Sequence, residues 1–162
     1  MTCLRDGQEA EIQRTRHGGF FALHDLLHYS VETVLRFDEA FLGLMASGWS
    51  FENFTRHDDP RHRPVPAQAL IAEHLVGVLS LHVRDSALED DELVELLTDE
   101  INSELAAAMA GCGIAAPKLV VADVASIYQT FNELARRWAA LPRGDHLELS
   151  FPPVHFPGRS RS

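Results

Sequence analysis

Between residues 123 and 141 apolar side chains return every three or four positions. Val124, Ile127, Tyr128, Phe131, Leu134, Ala135, Trp138 and Leu141 therefore share one face of a helix. A stripe of this kind must be buried against other elements, and three further segments have the same period. The first is predicted to run from about Phe20 to Ala46, with Gly48 near its C-terminal cap. The second fits "PAQALIAEHLVGVLSLHVRD", with Pro66 at its first turn. Ser86 followed by Glu89 forms a capping box for the third, which runs to about Ala110 and stops at "GCG". Pro142 and Gly144 end the fourth. The expected fold is mainly α, a four-helix bundle-like single domain.

The period changes near the C-terminus. In "HLELSF" Leu147, Leu149 and Phe151 alternate with Glu148 and Ser150, the pattern of a half-buried strand. Its natural partner is the early "AEIQR", so a short two-stranded antiparallel ribbon formed by the N- and C-terminal segments is expected. The domain then spans 1–162, with a core of about 9–151 and a tail of 152–162.

A chain of 162 residues is the size of one domain, and its 46% apolar content is globular. No run approaches the length of a membrane span, and the polar start has no apolar core of a signal peptide, so a cytoplasmic location is expected. The net charge of −10 is concentrated. Residues 85–104 hold nine acidic residues and no basic one, which leaves the rest of the chain about neutral. This argues against nucleic acid or an anionic membrane as partner. Cys3 and Cys112 are too few for a disulfide framework and lack structural-zinc spacing. Cys112 reads as a small residue in a turn, with no basic neighbour to activate its thiol.

The chemistry-bearing residues cluster on the first helix. At about 100° per residue its buried arc contains Leu23, Leu26, Leu27, Val31, Val34, Leu35, Phe37, Phe41, Leu42 and Met45. His24 falls inside the edge of that arc, His28 one step outward and Glu32 another, with Asp25 and Glu39 bordering the strip. His24 and His28 are four apart and can present two imidazoles to one ion, the spacing used by H-E-x-x-H zinc helices. Asp25 is placed to orient a ligand, since a metal-bound His commonly donates its other N–H to a carboxylate.

A third ligand must come from elsewhere. On the second helix Leu70, Ile71, Leu75, Val78 and Leu79 define the buried face, with His74 and His82 among them, and Glu73, Ser80 and Arg84 opposite. His74 and His82 are about 12 Å apart along the axis, so one of them joins, and His74 is favoured; Glu32 and Glu39 are the remaining candidates. The competing reading is ordinary: His28–Glu32 and Glu32–Arg36 are solvated i, i+4 pairs and the histidines are packed in the core.

The residues "HDLLH" resemble the start of the H-D-x-x-H, eleven residues, Glu motif of the ubiquinone-biosynthesis metalloprotein family, which carries a helical zinc-type site. The resemblance matches His24, Asp25 and His28, but the closing Glu falls on Ala40, and Glu39 misses by one residue. It covers one helix and implies a metal more than a shared activity. The longer "GGFFALHDLLHYSVE" resembles a group of bacterial proteins without an assigned function.

Two other constellations are weaker. "HDDPRH" offers His57, Asp58, Asp59 and His62 in a Pro-containing polar loop that reads as a connector. Glu92, Glu95, Asp99 and Glu100 resemble the Glu-x-x-Glu pairs of all-helical nucleotide pyrophosphatases, but Leu93, Val94, Leu97, Ile101 and Leu105 claim the inward face. No G-x-S-x-G, P-loop or dinucleotide fingerprint is present.

The function expected from the sequence is binding of a zinc-like divalent metal through His24, His28 and His74, with metal-assisted hydrolysis of an unknown small molecule. Asp25 or Glu32 would then act as general base or ligand-orienting group. The alternative is a non-enzymatic module whose acidic helix 86–110 docks a basic protein partner, and a homo-oligomer is compatible with either.

Overall fold

The computed structural model describes the backbone of residues 2–5, 8–12, 18–55, 64–82 and 91–151. Side chains are described within these from residue 22 onward, apart from 55 and 91. The elements are strands β1 (Thr2–Arg5) and β2 (Gln8–Ile12), then helices α1 (Gly18–Val34), α2 (Phe41–Ala46), α3 (Phe51–Thr55), α4 (Ala67–His82), α5 (Asp91–Gly111) and α6 (Val121–Ala139). The protein is mainly helical. Helix α1 packs against α4 and α6, and α5 completes the ring by packing against the same two.

The core lies inside this ring. Leu27 and Val31 of α1, Leu75 and Leu79 of α4, Ile101 and Leu105 of α5, and Val124 and Ile127 of α6 are fully enclosed. The α6 stripe read from the sequence is the buried one, with Tyr128, Phe131 and Leu134 also inside. Asp123 caps this helix by accepting the Val120 N–H at 3.0 Å. Asn102 of α5 clamps the preceding chain, accepting from Leu119 N–H at 2.8 Å and donating to its carbonyl at 2.9 Å. The α5 terminus at "GCG" is as expected. Gly113 takes φ 68°, and its neighbour Ile114 donates back to Met109 at 2.9 Å, a Schellman closure.

The predicted first helix is broken. It ends at Val34, six residues of turn and bend follow, and the apolar residues 41–46 form a separate short helix. The stop is a Schellman closure around Arg36, whose φ of 55° is left-handed. Arg36 N–H donates to Thr33 at 3.4 Å and Phe37 N–H to Glu32 at 2.9 Å. Glycine usually occupies this position, so the sequence carries no punctuation there.

The expected ribbon between the chain ends does not form. The early "AEIQR" segment contributes to β2, which pairs antiparallel with the adjacent β1, Thr2 opposite Ile12. A local hairpin closes a far shorter loop than pairing with residues near 150 would. Residues 145–151 belong to no strand. Leu147 and Leu149 instead pack their side chains on the helical core, and Tyr29 Oη donates to the Ser150 carbonyl at 2.9 Å. The alternation correctly marks a half-buried extended chain without specifying a hydrogen-bonded neighbour. Ser86, Glu89 and the "HDDPRH" loop lie outside the described residues.

Candidate metal centre

Helices α1 and α4 run in opposite directions. His28 of α1 meets Glu73 of α4, and Glu39, beyond the end of α1, donates its N–H to Gln68 near the start of α4 at 2.8 Å. This register brings three donors together: one ligand atom each from His24, His28 and Glu73, all within 4.8 Å of one another. Donors held tetrahedrally at zinc–ligand distances of about 2.0–2.1 Å are about 3.3 Å apart, so no pair of the group need close by more than about 1.5 Å. One pair is already there, with His28 Nε2 at 3.5 Å from Glu73 Oε1. Glu73 is 59% exposed, so its carboxylate has room to approach the two imidazoles.

The burial gradient along α1 is the reverse of that expected from its wheel. His28 is 3% exposed and Glu32 fully buried, whereas His24 is only partly buried and Leu23 is 41% exposed. The break after Val34 is responsible. It returns the chain across this side of α1, so the ring of Phe41 lies 5.6 Å from that of His28. The N-terminus of α2 also settles on Glu32. Glu32 Oε2 accepts from Leu42 N–H at 2.8 Å and Gly43 N–H at 3.4 Å. Ala40 at the N-cap has no side chain to do this. A Cβ at Gly43 would stand 2.2 Å from the Asp38 carbonyl oxygen, so only glycine permits the approach.

The other oxygen, Glu32 Oε1, lies 3.4 Å from His28 Nδ1. When Glu32 is ionised it can only accept, and the contact then places the proton on Nδ1 and leaves the Nε2 lone pair toward Glu73. The rings of His24 and His28 meet edge to face at 4.7 Å. Burial, followed by the neighbouring His28, lowers the His24 pKa from its ordinary value, which favours the neutral ring that a metal requires. Burial raises the pKa of Glu32, opposed by its His28 and backbone hydrogen bonds. Burial also raises that of Asp25, opposed in part by the adjacent histidines.

Other sequence-predicted residues fall elsewhere. Asp25 is partly buried on α1 but is not one of the three donors. His74 is not brought to the group; its Nε2 is buried without a hydrogen-bond partner among the described residues. His82 and Glu39 are also outside it. Glu73, expected on the opposite face of the second helix, is the α4 residue that reaches the histidines. A signal for it was present, since it is the one carboxylate on α4, which has no Lys or Arg. The depth at which α1 and α4 align, on which the choice rests, is not encoded locally. On α5, Val94, Leu97, Ile101 and Leu105 point inward as expected, but Leu93 is exposed with the carboxylates Glu92, Glu95, Asp99 and Glu100.

Among the described residues no helix is long and apolar enough to cross a membrane. Comparison with protein-family models, curated proteins and solved structures gave no match, so the centre is read from its own geometry.

Proposed function

We propose that this protein binds one zinc-class divalent ion through His24, His28 and Glu73 and uses it for metal-assisted hydrolysis of a small molecule. The observation that carries the reading is His28, buried between Glu32 at 3.4 Å and Glu73 at 3.5 Å. A neutral imidazole has one N–H and cannot donate to both carboxylates. Either the ring holds a second proton, or a cation lies between Nε2 and Glu73. The ring nitrogen that His24 adds to the group, within 4.8 Å of the other two donor atoms, supports the cation. Two His and one carboxylate make up a ligand set used in catalytic zinc sites, which keep a position open, and in non-haem iron(II) sites.

Glu32 fixes the His28 ring, and its fully buried carboxylate is remote from bulk water, so its part is to position. Asp25 is better placed as a proton acceptor because it is only partly buried on the same helix. A bound divalent ion would supply water acidified toward a pKa of about 7. Metal analysis of untagged protein tests the reading. About one ion per chain is expected, lost in His28→Ala and Glu73→Ala and retained in His74→Ala. Sub-stoichiometric metal unaffected by any of these would refute it.

One observation favours a second reading, a docking role for α5. Leu93 and Leu96 are 38% and 63% exposed among its carboxylates, as a face for a basic amphipathic partner would be. Binding of such a partner, weakened by salt and by Leu96→Glu, would support it.

A further inference from the structure

Residues 40–55, which carry α2 and α3, pack apart from the main core. Leu44 of α2, Trp49 of the following turn and Ala69 of α4 are buried in a small cluster of their own, with Phe54 of α3 and Val65 against them, and none of the five belongs to the main cluster. The unit is also closed on itself. Trp49 N–H donates to the Leu44 carbonyl at 3.0 Å across the end of α2, where Gly48 takes φ 106°. At the start of α3, Asn53 Oδ1 accepts the Ser50 N–H at 2.7 Å. A segment built on a satellite cluster of this size can open while the main core stays folded.

The same unit ends on the donors. Phe41, the first residue of α2, has its ring 5.6 Å from that of His28 and 5.2 Å from that of Phe54, which in turn lies 5.3 Å from Trp49. Beside Phe41, the Leu42 and Gly43 N–H groups and the His28 imidazole share the two oxygens of Glu32. At its far side the cluster includes Ala69 of α4, the helix that carries Glu73. The unit therefore spans the two helices whose side chains make up the donor group. Opening it would remove both N–H groups from Glu32 Oε2 and the ring packed on His28, and so would release the two contacts that hold the imidazole. An ion that needs His28 Nε2 in place binds the closed form more tightly, and by linkage it favours closure by the same factor.

We infer that the α2–α3 unit is a strap that closes on the metal centre, and that closure and ion binding promote each other through Glu32 and Phe41. This inference rests on the metal reading above and specifies how the same centre is regulated.

The test uses the full-length protein with equimolar zinc or with chelator, and follows amide hydrogen exchange at Leu42 and Gly43. Without zinc both amides are expected to exchange faster than that of Ile127 in the main core, as local opening requires, and rates equal to it would overturn the strap. Zinc is expected to slow both by about 5-fold or more, the size of an ordinary coupling. Rates unchanged by zinc would show an opening indifferent to the ion and overturn the inference. The reciprocal arm is Phe54→Ala, which alters no donor, in a Trp138→Phe background that leaves Trp49 as the one tryptophan. Its emission is expected to shift to the red without zinc and back with it, and its zinc affinity to fall by about 5-fold or more. Leu134→Ala opens a cavity in the main core and should lower stability while leaving zinc affinity unchanged. Wild-type zinc affinity in Phe54→Ala, or an equal fall in Leu134→Ala, would overturn the coupling with the metal reading intact. A wild-type protein that takes up no zinc overturns both.

Discussion

Replacing Glu32 by Gln separates the proposed metal-orienting role of this residue from its structural role. Gln has nearly the same shape and keeps one carbonyl oxygen, which can still accept from Leu42 N–H, now at 2.8 Å from Glu32. Its NH2 group then faces His28 Nδ1, 3.4 Å from the present carboxylate. A donor opposite Nδ1 selects the tautomer with its proton on Nε2, which removes the lone pair from the side facing Glu73. Loss of such an orienting carboxylate typically lowers metal affinity by about 10- to 100-fold, or about 1.4–2.8 kcal/mol.

Stability without metal should move differently. Burial raises the folded-state pKa of Glu32 above its ordinary 4.5, so its contribution is fully present below 4.5 and is lost as pH rises through the higher folded value. Gln has no proton to lose. The metal-free variant should therefore gain stability relative to the wild type as pH rises above 4.5. The assays are zinc competition against a chromophoric chelator at neutral pH and urea unfolding with chelator across pH 4–8. Wild-type zinc affinity in a folded Glu32→Gln protein would refute the orienting role, as would a pH-independent stability difference refute the buried carboxylate.

Three further outcomes follow from the same region. Gly43→Ala should destabilise by about 2–3 kcal/mol in urea unfolding, because the new Cβ would meet the Asp38 carbonyl at 2.2 Å. Arg36→Gly should stabilise by about 1 kcal/mol, by relieving the left-handed φ of 55° at an exposed helix stop. The His24 pKa is lowered in the fold, so metal-free protein should lose stability as pH falls below the ordinary 6.5 toward the lower folded value. His24→Asn should flatten that slope.

Helix type and the buried face of α6 are legible in the sequence because a clean 3.6-residue period needs no knowledge of its neighbours. The two histidines of the centre are legible for a similar reason, since i, i+4 spacing is local. Glu73 is not, although it lies beside His74 in sequence. The two side chains point about 100° apart on the helix, and which of them meets α1 depends on how the helices rotate and slide against each other. Leu70 and Leu23, assigned to buried faces by pattern alone, are 39% and 41% exposed.

The break after Val34 shows how one local departure determines the whole centre. In an uninterrupted helix to Ala46, the N–H groups of Leu42 and Gly43 would bond to the carbonyls of Asp38 and Glu39, and Glu32 would remain a surface residue. Breaking the helix frees those two N–H groups, and Glu32 Oε2 accepts both. The carboxylate can then be buried because its second oxygen still has His28 Nδ1 within reach. That contact turns Nε2 outward to Glu73. The left-handed Arg36, the glycine at position 43, the buried Glu32 and the donor group are thus steps of one arrangement, and a variant that restored the continuous helix would lose the geometry of the candidate metal centre without altering His24, His28 or Glu73.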